Sequence, residues 1–177
     1  MATIRELEQL GSVSATLHGL RVVVGQFGGL SSLTRSVAQE LRSRGAKVIA
    51  VDEFDPSLQA AAANRHAANV YLGFEAHATS RATIAYYSTD VEGAGFHSAG
   101  GRALACRLSQ ALDTASVLDL ARTAGMRLPV LRETRMTAVV CSLGPVQRVT
   151  DAAAAITDAV VEAMIAWTES PTASTPV

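Results

Sequence analysis

The sequence predicts an α/β fold, a single three-layer domain in which a mainly parallel, mixed sheet is flanked by helices on both faces. Short apolar segments of strand length alternate with longer segments of helical periodicity, and this order is typical of a parallel sheet covered on both sides. The length of 177 residues suits one domain. With 49% hydrophobic and 18% charged residues, the composition is that of an ordinary globular protein.

Each strand and helix is predicted from apolar periodicity, and its ends are predicted from capping residues, glycine and proline. Ser31 or Ser32 is the expected N-cap of the first helix, which Gly45 ends, and Asp55-Pro56 is a typical start for the second. The predicted strands are Leu20–Val24, Lys47–Val51, residues 69–75, Ala82–Ser88 and Thr137–Cys141. The predicted helices after the first run from Asp55 to about Ala68 and over Ser98–Leu112 and Asp151–Trp167. Residues 127–131 are predicted as a short extended piece, and residues 113–126 are ambiguous.

The composition divides the chain into a polar lead-in over residues 1–19, the α/β domain over 20–168 and a tail of disordered composition over 169–177. The first residues lack the apolar core of a signal peptide, and no run approaches the roughly 20 apolar residues of a membrane span. Cys106 and Cys141 sit in apolar patterns and are expected to be reduced, buried thiols. We therefore expect a cytoplasmic protein without membrane insertion. The net charge of −1 argues against nucleic acid as a partner.

A candidate site lies where the central predicted strand ends. The apolar run that begins at Val70 ends on Glu75 and His77. Residues two apart on a strand point to the same face, so we expect the carboxylate and the imidazole to lie side by side. Open α/β sheets bind ligands beyond the carboxyl ends of their strands. The two residues are either part of a ligand or metal site or only a hydrogen-bonded polar pair.

The glycine-rich turn after the first strand has the rhythm of a dinucleotide site, because a helix, a second strand and Asp52-Glu53 follow it. Its spacing, Gly25-x-x-Gly28-Gly29, matches neither the G-x-G-x-x-G fingerprint nor a P-loop. No lysine follows to contact a phosphate. We therefore interpret the glycines as a tight strand-to-helix turn.

Short segments that follow one another in a fixed order cover most of the chain: Leu20–Gly29, Gly45–Val48, Ala63-Asn64, Ala68–Ala78 and Leu131–Gly144. The series resembles the zinc-dependent N-acetylmuramoyl-L-alanine amidases of the Amidase_3 type. In that family the first strand ends in an Asp-Pro-Gly-His-Gly-Gly turn and the middle strand in Ser-Ile-His-x-Asn. A Leu-Arg-x-Thr-x-Met-Pro-Ala segment then leads into a strand that ends in glutamate. The resemblance implies the zinc-amidase-like fold, a mixed sheet between helices.

The resemblance also implies where the family's catalytic residues fall in this chain. The first zinc histidine falls near Phe27, and the second aligns with Glu75. The asparagine after the second histidine aligns with His77, and the catalytic glutamate aligns with Ser142. The zinc glutamate has no counterpart, because the chain goes straight from Gly29 into a helix. A hydrolytic zinc site needs three protein ligands and a base, so we predict no catalytic residue, no metal ligand set and no cofactor. The predicted vestigial cleft comprises Gln26, Phe27, Glu75, His77, Arg81 and Ser142.

Two functional hypotheses follow from the resemblance. The leading one is a catalytically inactive amidase-like domain with a binding or regulatory role in peptidoglycan metabolism. The segments Ile4–Glu8 and Leu131–Met136 resemble the cytoplasmic, actinobacterial CwlM-type homologues. That likeness implies a cell-wall precursor synthesis protein or a peptidoglycan fragment as partner.

The alternative hypothesis is an active zinc-dependent amidase with relocated ligands. Its third ligand would come from His66, His97 or Cys141. Three arginines near the cleft either bind carboxylates or phosphates or form a solvated rim. These arginines are Arg81, Arg132 and Arg135.

Overall fold

A single mixed sheet forms the centre of the structure, a computed structural model that describes residues 17–89 and 95–171. Within these residues the sheet has six strands in the order β2-β1-β3-β6-β4-β5. Strand β4 runs antiparallel to β6, and every other neighbouring pair is parallel. The predicted fold class is therefore confirmed. The strands are β1 (Arg21–Gln26), β2 (Lys47–Asp52), β3 (Val70–Ala76), β4 (Arg81–Tyr87), β5 (Arg122–Met126) and β6 (Thr137–Gly144).

Helices cover both faces of the sheet and enclose two cores of unequal size. The larger core packs one face against α1, α3, α5 and α6, and the smaller core packs the other face against α2 and α4. Strand residues alternate between the cores, so that Val22 belongs to the larger core and Val23 to the smaller. The helices are α1 (Ser31–Ser43), α2 (Pro56–Arg65), α3 (Ala99–Ala115), α4 (Pro129–Glu133), α5 (Val146–Asp151) and α6 (Ala153–Glu169).

Capping explains where α2 begins, as the sequence predicts. The Asp55 carboxylate accepts a hydrogen bond from the Ser57 N–H at 2.8 Å, and Pro56 is the first helical residue. The helix stops at Arg65 rather than at the predicted Ala68, because Ala67 adopts a positive φ of 46° that ends helical geometry. Gly45 follows the end of α1 and has a φ of 95°, a conformation that favours glycine.

Three local predictions are wrong. Residues 127–131 are not extended throughout, because Pro129 starts the one-turn helix α4. Neither Ser31 nor Ser32 caps α1: its N-cap is Leu30, and no side chain accepts a hydrogen bond there. The last predicted helix begins two residues later than expected, because Asp151 ends α5 and α6 starts at Ala153.

The predicted lead-in and tail lie mostly outside the described residues, which exclude 1–16 and 172–177. Within the described residues, Leu17 and Leu20 are buried in the larger core. Helix α6 extends to Glu169. The boundaries of the lead-in, the domain and the tail remain predictions.

A buried amide joins α2 to the carboxyl ends of β1 and β2 and to the side chain of Tyr71 on β3. Gln59 donates from Nε2 to the carbonyl of Gln26 at 2.8 Å and to that of Glu53 at 2.6 Å. Its Oε1 accepts from the Tyr71 hydroxyl at 2.6 Å. A Cβ at Gly25 would lie 1.9 Å from this Oε1, so only glycine leaves room for the contact. The Gln59 side chain is therefore the polar centre of the smaller core.

We expect Gln59→Leu to lower the free energy of unfolding by about 3 kcal/mol or more. The change leaves the Tyr71 hydroxyl and two carbonyls without partners, and each unsatisfied buried group costs about 1–3 kcal/mol. Urea unfolding measures the difference. The control is Gln39→Leu on the exposed face of α1, which should stay within about 0.5 kcal/mol of the wild type. The double variant Gln59→Leu/Tyr71→Phe should lose less than the sum of the single changes, and strict additivity would contradict the shared hydrogen bond.

Candidate functional site

One row of side chains crosses the sheet at its carboxyl edge, on the face of the smaller core. Glu75 of β3 is in register with Ser142 of β6, which is in register with Thr83 of β4. Thr83 is in register with Arg122 of β5. At the other end, Phe27 follows β1, donates its N–H to the Phe74 carbonyl at 3.0 Å and packs against the smaller core. We call these five residues the edge row.

The antiparallel direction of β4 brings two of the row's polar groups to this edge. Because β4 runs opposite to β6, its first residues Arg81 and Thr83 lie beside the last residues of β6. The parallel neighbour β5 then contributes Arg122. Sequence reasoning missed Thr83 because the apolar pattern of β4 does not indicate its direction, and missed Arg122 because residues 113–126 were ambiguous. The short connection between β3 and β4 is the available signal for the direction of β4, since a parallel return needs a long crossover.

The edge row carries a carboxylate at one side and a guanidinium at the other. Glu75 is exposed and makes no hydrogen bond or ion pair with another described residue. Arg122 is also exposed and lies three strands away, a separation of about 14 Å at the usual strand spacing. Between them, Thr83 is buried, and Ser142 is 8% exposed. The Ser142 hydroxyl is buried and has no partner within the described residues. The four polar residues of the edge row therefore form a strip with opposite charges at its two ends, Glu75 and Arg122.

The structure separates Gln26 from the rest of the predicted cleft. Gln26 is the last residue of β1 and is buried. Its Nε2 donates to the Ser31 Oγ at 3.1 Å, at the start of α1. Helix α1 packs on the face of the larger core, so the Gln26 side chain points away from the edge row. Phe27, Glu75 and Ser142 lie together, and Gln26 does not lie with them.

His77 does not form the predicted pair with Glu75. Strand β3 ends at Ala76, although the His77 N–H still donates to the Leu143 carbonyl at 2.8 Å. The ring turns to the next loop, where Nδ1 accepts from the Thr79 N–H at 3.2 Å. Within the described residues no hydrogen bond joins the imidazole to Glu75. The predicted hydrogen-bonded pair of Glu75 and His77 is therefore not formed, because the ring bonds to Thr79 beyond the end of β3.

The predicted arginines lie on the surface around this edge. Arg81 is exposed in register with Gly144, two residues from Thr83 on the same strand. Arg132 pairs with Glu133 at 2.9 Å, and this contact lowers the pKa of the Glu133 carboxyl. Arg135 is exposed, and its backbone N–H donates to the Asn64 side chain at 3.0 Å. Arg132 thus has a partner within the chain, whereas the Arg81 side chain has none within the described residues.

Asn64 has a structural role that sequence reasoning did not assign. Its Nδ2 donates to the Glu133 carbonyl at 2.9 Å, and its Oδ1 accepts from Arg135. These bonds join the end of α2 to the segment that enters β6. The sequence indicates the Ala63-Asn64 pair only through the family resemblance. Local patterns do not reveal the hydrogen-bond partners of Asn64, because they lie about 70 residues further along the chain.

The residues of the edge row do not fit a catalytic zinc ion. The three positions that the resemblance assigns to family catalytic residues hold a phenyl ring, one carboxylate and one hydroxyl. A hydrolytic zinc site takes three ligands from imidazole, thiolate and carboxylate groups. No group of three histidine, cysteine, aspartate or glutamate residues with metal-binding proximity exists in residues 17–89 and 95–171.

The three suggested replacement ligands are also far from Glu75. His66 caps the carboxyl end of α2 at the opposite edge of the sheet. His97 bridges to Ser88 beyond the end of β4, also at that opposite edge. Cys141 faces the larger core, and its burial raises the pKa of the thiol to about 12. Its side chain therefore lies on the opposite face of the sheet from Glu75.

A separate cavity of about 400 Å³ lies at the amino ends of β1 and β2. Aliphatic side chains form most of its wall, and its charged lining residues are Arg21, Arg42 and Lys47, with His66 beside them. Because it lies at the opposite edge of the sheet, this cavity is not part of the predicted cleft.

The fold is that of N-acetylmuramoyl-L-alanine amidases. The amidase of Clostridium difficile 630 has a TM-score of 0.67 and 14% identity over 85% of this chain and 98% of that one. AmiC2 of Nostoc punctiforme has a TM-score of 0.67 and 16% identity over 85% and 98%. Ami1 of Mycobacterium smegmatis has 0.65 and 13% over 88% and 99%. The chain matches no family profile and no curated protein sequence. The resemblance seen in the sequence is thus confirmed at the level of the fold.

No helix within the described residues combines the length and the apolar character that a membrane span requires. The described cysteines, Cys106 and Cys141, are both free thiols.

We predict that the free energy of unfolding falls with rising pH above about 9. Burial raises the pKa of the Cys141 thiol from 9.0 to about 12 and also raises the pKa of the Tyr71 phenol. The unfolded chain releases these protons first, so stability is intact below pH 9 and is lost as pH rises toward the folded pKa values. Each group contributes a slope of about 1.4 kcal/mol per pH unit within its window.

Chemical unfolding at a series of alkaline pH values measures this slope. Cys141→Ala should remove the contribution of one group, and Cys106→Ala, at the half-buried cysteine, is the matched control. A Cys141→Ala variant that keeps the full wild-type slope would show that the buried thiol does not govern the alkaline loss of stability.

Proposed function

We propose that this chain is a catalytically inactive amidase-fold domain with a binding or regulatory role in peptidoglycan metabolism. The observation that carries the proposal is the composition of the edge row. Positions that would hold zinc ligands and a base present the ring of Phe27, the carboxylate of Glu75 and the hydroxyl of Ser142. This set binds a ligand through hydrogen bonds and stacking, but it does not activate water.

The argument against catalysis rests on proton transfer and charge. Amide hydrolysis needs a nucleophilic water and a base that takes its proton at neutral pH. The Ser142 hydroxyl is neutral and buried, and the His77 ring is held away by Thr79. Glu75 is an exposed carboxylate, and no second acidic side chain stands beside it in the edge row. We therefore assign it a binding role.

The charges of the edge row suit a peptide that carries an ammonium group and a carboxylate. Glu75 would pair with the ammonium group and Arg122 with the carboxylate, about 14 Å away. Thr83 and Ser142 are buried between these two charges, so the middle of the peptide would lie over them. Phe27 presents a ring on which the apolar face of a sugar can pack. Peptidoglycan fragments combine these groups, and this complementarity supports a fragment as ligand over nucleic acid.

The proposal includes a cytoplasmic location and, as the alternative partner, a protein of cell-wall precursor synthesis. Free cysteines are typical of a reducing compartment, and both cysteines of the chain are unpaired. A protein partner would be recognised by the same edge row, so the two partners are separated by a binding experiment with fragments alone.

We expect no release of L-alanine amino termini when the purified chain is incubated with peptidoglycan and zinc. An active amidase serves as the positive control, and a reaction without protein gives the blank. Metal analysis of the purified chain should give well under one zinc per molecule. Amine release above the blank that a chelator abolishes would overturn the proposal in favour of an active enzyme with relocated ligands.

A second prediction concerns restoration of catalytic groups. The double variant Glu75→His/Ser142→Glu restores two family residues but leaves Phe27 in place of the first histidine and adds no zinc glutamate. We expect it to bind no zinc in a competition assay with a coloured chelator and to release no peptide. Tight stoichiometric zinc binding would contradict the ligand analysis, because it requires a third donor near these positions.

Binding is tested by nuclear magnetic resonance titration with muropeptides. We expect shifts at the backbone amides of the edge row, and we expect both Glu75→Gln and Arg122→Gln to weaken binding by about tenfold, the effect of losing one charged contact. The matched controls are Asp158→Asn on α6 and Arg35→Gln on α1, exposed charges on the other side of the sheet. Equal effects of all four changes, or no shifts at all, would rule out the edge row as the fragment site.

A further inference from the structure

Strand β2 is the outermost strand on one side of the sheet, and no described strand lies beyond it. Lys47 donates its N–H to the Leu20 carbonyl at 2.8 Å, so the backbone groups of Lys47 and Ile49 point to β1. The alternate residues Val48, Ala50 and Asp52 therefore direct their backbone groups to the open side. Such a row of unpaired N–H and C=O groups is a template for another strand.

Charged residues lie at the two ends of this open edge with opposite signs. Lys47 is at the amino end, where Arg42 of α1 also reaches over to donate to the Val48 carbonyl at 2.9 Å. Asp52 is at the carboxyl end, and Glu53 follows it. The ion pairs found in residues 17–89 and 95–171 involve other residues. These four charges thus have no ion-pair partner in that part of the chain.

The residues between the charged ends are apolar and incompletely covered. Ile49 is 37% exposed, Ala50 is exposed, and Val48 and Val51 are half-buried. An edge strand that remains single in solution is usually shielded by charges along its length or by a bulge. In β2 the charges stand only at the ends, so the middle of the strand is free to pair.

We infer that the partner of this edge is a second copy of the same chain, paired antiparallel through β2 about a two-fold axis at Ala50. Such an axis stands perpendicular to the sheet, so residues that oppose each other share a face. Ala50 opposes Ala50 of the second copy, and Ile49 opposes Val51. Val48 then opposes Asp52, and Lys47 opposes Glu53.

The charges select this register among those that a two-fold axis allows. A register centred on Ile49 would place Lys47 against Val51 and leave Asp52 without a cation. The register centred on Ala50 places Lys47 against Glu53 on the face of the smaller core. On the face of the larger core, Arg42 donates to the Val48 carbonyl in the single chain. In the dimer the Asp52 N–H of the second copy donates to this carbonyl instead. Arg42 then pairs with the Asp52 carboxylate of the second copy, which lies on the same face.

A bound anion is the competing occupant, because Arg42 and Lys47 also line the cavity of about 400 Å³. An anion would use the cations but would make no use of the Asp52 and Glu53 carboxylates. The dimer uses all four charges and the open backbone groups together. It also extends the central sheet of each copy into one continuous sheet.

Charge reversal in the full-length chain tests the register. Analytical ultracentrifugation over a wide range of protein concentration should show a reversible dimer. Lys47→Glu and Glu53→Lys should each raise the dissociation constant by about tenfold or more, since each places like charges in opposition twice per dimer. The double variant Lys47→Glu/Glu53→Lys should restore dimerisation, which also shows that the altered chains fold. The controls Arg35→Glu and Glu162→Lys change exposed charges on helices and should have no effect.

A cross-link at the axis gives an independent readout. In a hydrogen-bonded antiparallel pair the opposed Cα atoms are about 5.5 Å apart, within the range of a disulfide. In a Cys106→Ala background, Ala50→Cys should form a reducible covalent dimer under mild oxidation. Ala124→Cys on β5, the strand at the other edge, should remain monomeric.

A chain that is monomeric at every concentration overturns the inference. So does a dimer that is insensitive to the Lys47 and Glu53 reversals, or cross-linking at Ala124 as strong as at Ala50. Inorganic phosphate that binds to the chain and leaves the monomer unchanged would instead assign Arg42 and Lys47 to anion binding.

Discussion

The hydrogen bond between the Gln59 amide and the Tyr71 hydroxyl is the constraint on which the carboxyl edge of the sheet depends. Gln59 is fully buried, so every polar atom of its side chain must find a partner inside the protein. Those partners are the carbonyls of Gln26 and Glu53 at the carboxyl ends of β1 and β2 and the Tyr71 hydroxyl, which extends to this edge from the start of β3. Gly25 and Gly73 are required beside it, because a Cβ at either position would collide with Gln59 or with Tyr71.

This constraint also determines what the edge row can do. The Tyr71 ring extends past Gly73 toward Gly25, directly below Phe27 and Glu75 on the same face. Burial raises the pKa of its hydroxyl, so the ring is neutral at any physiological pH. The row thus stands on a packed, uncharged floor that offers neither a base nor a metal ligand from below. Within the edge row, the ionisable groups available to a ligand are Glu75 and Arg122 at the surface.

The sequence predicts the fold class and five of the six described strands, because local apolar periodicity is strong there; β5 lies in residues 113–126, whose pattern is ambiguous. It predicts less of the site, because the decisive contacts join distant residues. Thr83 and Arg122 enter the row only through the direction of β4. Gln59 finds its partners in three strands, and no motif marks it. His77 does not bond to Glu75 for a more local reason. Strand β3 ends at Ala76, so the alternation of side chains along the strand does not extend to His77.

Several polar side chains are satisfied by hydrogen bonds or ion pairs within the fold. Gln59 and Asn64 are satisfied within the fold, and Arg44, Arg132 and Arg148 are paired with carboxylates. Charges of opposite sign that have no ion-pair partner in the described residues stand along the edge row and along the outer edge of β2. Unpaired surface charges contribute little to folding, so their arrangement is free to serve recognition. At the edge row the opposite charges stand on separate strands, which suits a small extended ligand. At β2 they stand at the two ends of one strand, and that arrangement is complementary to itself.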